Sequence, residues 1–239
     1  MPGYFTRIEV AEPHLLPQSV WEQLPPTDKA SLTEGEFSSQ QWAPLDRRRF
    51  RIEPESFRSE VSVADVGGLS ATRIFSNGAT ETTHRSPGVD SFVIGLNERG
   101  ASQLVLPGAN EPVTNSATTG VVYGVEPRTR AIGSDLHSRL LLRLPARLLR
   151  RKLEALLDGQ QVEAIEFQPM FDQTQGSGAT IRRMSDFLFA ELEHSDTLLT
   201  NEMAIRSFED HLALSVLLGL PHNYTQRLAR GRQRPHRVM

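Results

Sequence analysis

The sequence predicts an α+β chain in which a β-barrel or sandwich is followed by an antiparallel pair or triplet of helices. Three observations carry that prediction. From residue 56 to about 145, short apolar/polar alternations recur between Gly, Pro and Asn turns, the pattern of a sandwich or closed barrel. After Pro145 the apolar spacing changes from every second residue to the three-and-four spacing of helices. The strand–helix alternation of a parallel sheet is missing.

Residues 1–55 read as an irregular arm, because Pro13, Pro17, Pro25, Pro26, Pro44 and Pro54 interrupt any long element. Trp21 and Trp42 are its natural anchors. In the barrel region 56–145, Val61 and Val63 alternate with polar neighbours, and Gly67-Gly68 turns the chain into a strand from Leu69 to Phe75. Ser76-Asn77-Gly78 carries a hairpin signal. Further strands are expected at Thr80–Arg85, Ser91–Leu96, Ser102–Leu106, Glu111–Asn115, Gly120–Val125 and Ser138–Leu144.

The region 146–220 is helical. Pro145 suits a helix start, Leu148, Leu149, Leu153, Leu156 and Leu157 form a stripe, and Gly159 stops it. A second helix is expected from Gly178 to His194, burying Ile181, Met184, Leu188 and Leu192. A third runs from Thr200 to Leu218 with Met203, Phe208, Leu212 and Val216 inside, and Gly219 and Pro221 end it. Residues 221–239 read as a basic linker with no helix after Arg227. The net charge is −3, yet Gln226–Met239 holds five arginines and no acid, so the rest carries −8. An acidic body with a short basic tail is a poor nucleic-acid platform.

The composition is that of a soluble globule, 38% apolar and 23% charged. Cysteine is absent, which removes disulfides and thiolate metal sites and fits a reducing cytosol. No stretch approaches the ~20 apolar residues of a membrane helix, so the expected compartment is the cytoplasm, without membrane contact.

Histidine spacing bears on enzymatic chemistry. A cupin-like barrel that uses a metal places two histidines two residues apart on one strand, with a glutamate nearby. None of the seven histidines is two residues from another, and Glu81 is an odd number of positions from His84, on the opposite strand face. Glu191 and His194 could pair on one helix, but a di-iron site needs a second such pair and two more glutamates. No Gly-x-Ser-x-Gly elbow, phosphate loop or Gly-x-Gly-x-x-Gly occurs. The expectation is a non-enzyme with no metal and no cofactor.

The segment Thr83-His-Arg-Ser-Pro-Gly-Val-Asp90-Ser-Phe-Val-Ile-Gly-Leu96 with Gly100, the turn Leu106-Pro-Gly108, and Arg139-Leu-Leu-Leu-Arg-Leu-Pro145 with its leucine-rich helix resemble the N-terminal ligand-binding domain of AraC/XylS-type transcription regulators. The AraC-binding-like branch is the most similar, and Gly219-Leu-Pro-His-Asn-Tyr224 looks like its inter-domain link. The resemblance covers roughly residues 35–228. It implies a cupin-like barrel holding a small organic effector, helices that form a homodimer, and DNA contact through a helix-turn-helix domain of ~100 residues beyond Met239. Candidate pocket residues are Arg73, His84, Phe92 and Tyr123. Arg85 and Asp90 match the family motif and read as a structural ion pair around Pro87-Gly88. Phe208, Leu212 and Val216 are the candidate dimer face. A cupin-type metal enzyme and a self-associating module without a ligand are the competing readings.

Overall fold

Gly67 and Gly68 form a two-residue hairpin loop: Val66 pairs with Leu69, and Gly67 has φ +61°, a conformation that costs glycine little. The strands it joins, β3 (Ser59–Val66) and β4 (Leu69–Ser76), begin a seven-stranded antiparallel sheet. The computed structural model describes residues 4–10, 41–43, 58–78, 80–84, 91–106, 109–124, 129–134 and 136–232. The first sheet runs β1 (Thr6–Val10), β3, β4, β11 (His137–Pro145), β6 (Ser91–Arg99), β9 (Thr119–Gly124) and β12 (Met170–Asp172) in spatial order. The second runs β2 (Gln41–Ala43), β5 (Thr80–His84), β10 (Thr129–Gly133), β7 (Ser102–Val105) and β8 (Val113–Asn115).

Ser76-Asn77-Gly78 is not a hairpin between paired strands. β4 pairs with β3 and β11, whereas β5 pairs with β2 and β10, so the chain crosses from one sheet to the other here. Asn77 turns back to Arg58 instead, accepting its backbone N–H at 2.6 Å. The segment around Gly100, at φ +69°, makes a second such crossing between β6 and β7.

The arm is not irregular throughout. β1 pairs with β3 over five residues, and β2, which holds Trp42, pairs with β5. Trp21, Arg85 and Asp90 lie outside the described residues. β10 and β12 also escape the sequence signal, being short and weakly alternating.

The first sheet is covered on both faces. Leu140, Leu142 and Leu144 of β11, with Ile94 and Leu96, turn toward the helices, and each is at most 1% exposed. Burying one such side chain contributes about 1.5–3 kcal/mol. The opposite face packs Val93, Val121 and Tyr123 against Leu104, Val113 and Ala131 of the second sheet. Of the helices, α1 (Ala146–Leu156) starts at Pro145, and Gly159, at φ +78°, donates back to the Glu154 carbonyl. Leu149 and Leu153 are buried, but Leu156 faces solvent. α2 spans Gly176–Leu192. α3 spans Glu202–Gly219, and Asn201 caps it, its Oδ1 accepting from Met203 and Ala204. Met203, expected inside, is 80% exposed in that first turn.

The basic linker is partly helical. α4 (Thr225–Arg232) runs past Arg227. Thr225 Oγ1 accepts from His222 N at 2.8 Å, and Leu228 is buried. Its approach segment is docked: Tyr224 Oη accepts from Glu163 N, Asn223 brackets Glu166 and Ala164, and His222 Nε2 meets the Leu217 carbonyl at 2.8 Å. Among the described residues no helix is long and apolar enough to cross a membrane.

Candidate functional site

β11 puts Leu140, Leu142 and Leu144 on one face and Arg139 and Arg143, with Leu141, on the other, a pattern that reads as one buried and one wet face. The second sheet overrides it by covering the arginine face. Pairing sets three rows across the inward surface. Asp65, Ser70, Arg143, Val93 and Tyr123 align in the first. Val63, Thr72, Leu141, Gly95 and Val121 form the next, and Val61, Ile74 and Arg139 belong to the third.

Arg139 is 3% exposed and Tyr123 8%. Burial raises the Tyr123 phenol above its usual pKa, against the opposing pull of Arg139 and then Arg143. It therefore stays protonated and able to donate. Burial likewise lowers the Arg139 guanidinium, with Tyr123 acting the other way; arginine keeps its charge in proteins. Arg139 has further interactions of its own. Asp65 lies at the exposed end of its row.

The floor is polar and closely packed. Asn97 Nδ2 donates to the Asn115 carbonyl and Ser102 Oγ to Asn97 Oδ1, both at 3.3 Å. Asn115 Oδ1 is buried and accepts no hydrogen bond among the described residues. Gly95 is required by close approach: a Cβ there would stand 2.8 Å from Val121 Cγ2 and 3.3 Å from Asn115 Nδ2. Ser59 and Ser76 share a hydrogen bond at 2.7 Å. His137, fully buried, holds the Ser134 carbonyl at 2.8 Å through Nδ1. Its pKa falls to about 4, through burial and then the Arg139 charge, while the Ser134 contact opposes.

Arg73, Phe92 and Tyr123 divide between the two faces of the first sheet. Tyr123 faces the interior. His84 closes β5 opposite Thr129. Arg73 and Phe92 lie on the helical side, because Arg73 pairs with Leu140 and Phe92 with Leu144. Arg73 reaches Glu193 at 2.9 Å, Glu98 at 3.6 Å and the Phe189 ring face at 5.5 Å. Glu193 also binds Arg7, so this network fastens β1 and β4 to the end of α2. Phe92 meets Phe167 edge-on at 5.2 Å. Reading the strand face by residue type missed Arg139 and Arg143; their i, i+4 spacing opposite three leucines was the available signal.

The candidate dimer face divides as well. Leu212 and Val216 are buried, as parts of the chain's own core. Phe208 instead borders a groove of about 400 Å³ between α2 and α3, with Met184 and Phe187 along it and Arg183 and His211 at its sides. Phe187 is 48% exposed, and its ring lies 6.0 Å from that of Phe208. Among the described residues no group of three or more His, Asp or Glu is placed to share a metal ion. Glu191 is engaged with Thr197 rather than His194.

The family model for the AraC-binding-like domain matches residues 36–218. Among solved structures, the AraC-like transcriptional activator CuxR is 14% identical, with a TM-score of 0.56 over 90% of this chain and 72% of that one. ToxT from Vibrio cholerae is 8% identical, with a TM-score of 0.38 over 63% and 55%. An RmlC-like cupin protein from Desulfovibrio desulfuricans is 12% identical, with a TM-score of 0.32 over 40% and 88%. At these identities the likeness to CuxR shows the fold. No curated protein matches.

Proposed function

This chain belongs to the AraC-binding-like domain family, and from that premise we propose that it is the effector-sensing and dimerisation part of a bacterial, cytoplasmic AraC-type transcription regulator. A small organic effector enters the space between the sheets. DNA is reached through a helix-turn-helix domain outside these residues, and the chain performs no catalysis.

The observation that carries this reading is the set of polar side chains turned between the two sheets. Arg139 and Tyr123 are buried there with Arg143 beside them. A core filled for packing alone has little use for an arginine, since burying charge is costly. Small-molecule sites combine apolar walls with a few polar groups that orient the guest, and Val93, Val113 and Val121 supply such walls. Self-association through the α2–α3 groove would cover Phe187 and Phe208.

A thermal-shift screen of the full chain tests the sensor. An effector at 100 times its dissociation constant adds about 2.7 kcal/mol. A chain that no compound stabilises is a self-associating module instead. Stoichiometric iron, zinc or manganese in purified protein would favour the cupin-enzyme reading.

A further inference from the structure

The chain leaving α3 is seated on the body before α4 begins. Residues 221–224 run antiparallel to residues 163–168, with His222 opposite Phe167. Gln168 N donates to the Pro221 carbonyl at 2.9 Å, and Asn223 N to the Glu166 carbonyl at 3.0 Å. The Asn223 and Tyr224 side chains add bonds to Ala164, Glu166 and Glu163. Every partner that the seat offers in these bonds is a main-chain group.

His222 closes the seat from within. It is 7% exposed, and its ring meets that of Phe167 at 5.3 Å, which in turn meets Phe92 of β6. Both ring nitrogens are committed. Nε2 meets the Leu217 carbonyl, in the last turn of α3 where carbonyls lack helical partners. Nδ1 accepts the Tyr224 N–H at 3.1 Å. A main-chain N–H donates and a carbonyl accepts, so this arrangement requires a neutral ring with its proton on Nε2. A second proton would sit on Nδ1, point at the Tyr224 N–H and abolish that bond. The neighbouring charges stand clear of the ring: Glu163 and Glu166 on the seat and Arg227 on α4 are exposed, and α3 carries no charged side chain after His211. Tyr224 commits its hydroxyl to Glu163 N. Burial lowers the His222 pKa from its ordinary 6.5, against the pull of the Leu217 carbonyl.

We propose that His222 is a proton-operated latch: neutral, it staples the turn between α3 and α4 and holds residues 221–224 on residues 163–168; protonated, it releases the turn and with it α4. The closed form is favoured above the ordinary histidine pKa and lost as pH falls below it. On the sensor reading, α4 opens the path toward the DNA-reading domain, and the latch sets the direction in which that path starts. The latch goes beyond that reading and operates without effector or DNA.

Hydrogen exchange of the full 239-residue chain, corrected for intrinsic exchange rates, tests this at about pH 7.5 and about pH 5. Protection of residues 221–228 should fall by about tenfold on acidification, within the roughly thirtyfold excess of protonated ring that a pKa of 6.5 gives at the lower value. His222→Asn keeps an acceptor for the Tyr224 N–H that does not titrate. It should abolish the step in residues 221–228 and leave any step in β11 in place. Asn223→Ala removes two bonds of the seat without touching the ring, so it should lower protection at both values and keep the step. The imidazole resonances of His222 should titrate with the midpoint of the step. Residues 221–228 that stay protected while His222 titrates overturn the latch, and so does a step that survives His222→Asn. If His222→Asn fails to fold, the two midpoints in the unaltered chain decide, and disagreement between them overturns the latch. Each of these failures leaves the sensor reading standing.

Discussion

Acidification should weaken this fold through one histidine. His137 is fully buried, and its pKa drops from 6.5 to about 4 because burial and the nearby Arg139 charge oppose protonation. Between those values the unfolded chain binds a proton that the folded chain refuses. Stability therefore rises with pH across this window and is lost as the medium is acidified. At 1.36 kcal/mol for each pKa unit, the full loss is about 3 kcal/mol, of which about 2 kcal/mol falls between roughly pH 7.5 and 5. Urea unfolding of the unaltered chain and of His137→Gln at both values gives the measurement. The variant starts lower, having lost a buried contact, but its profile should be flatter by about 2 kcal/mol, because carboxylate contributions are common to both. Proton resonances of the ring should also stay unshifted down to about pH 5. Parallel profiles for the two proteins would refute the argument.

Three other perturbations read the architecture. Leu149→Ala removes a fully buried side chain beneath the sheet and should cost about 2–5 kcal/mol in urea unfolding. Gly178→Ala would place a Cβ 1.8 Å from the Asp172 carbonyl oxygen; it should cost about 3 kcal/mol, since backbone must shift, read as a fall in Tm. Phe187→Glu puts a charge into the exposed α2–α3 groove. Sedimentation should show it shifting a dimer toward monomer, with stability changed by less than about 0.5 kcal/mol.

Much of the fold was legible because local signals and tertiary packing agree. Alternation at Val61 and Val63, the Gly67-Gly68 turn and the leucine stripe from Leu148 to Leu153 each report a local period. Sheet membership is not a local property. Nothing in Ser76-Asn77-Gly78 distinguishes a hairpin from a crossing between sheets, so the path of the chain there had to be seen. The candidate site was harder for the same reason. Which face of β4 meets the helices depends on its pairing with β11, and a shift of one residue exchanges Arg73 for Thr72 on that face. Arg139 and Arg143 were not among the candidates because the cover over them comes from strands distant in sequence. On α3, the stripe that buries Leu212 and Val216 is indistinguishable by spacing from one that meets a second copy.

β11 is a wall one strand thick between two compartments. Its odd-numbered side chains face the second sheet, and its even-numbered leucines are bolted into the helical layer. A strand cannot roll toward one side without dragging what it grips on the other. A displacement of the strand at Arg139 or Arg143 is thus delivered at Leu140, Leu142 and Leu144 with no intermediary, and α1, which continues directly from Pro145, inherits it along the same stretch of backbone.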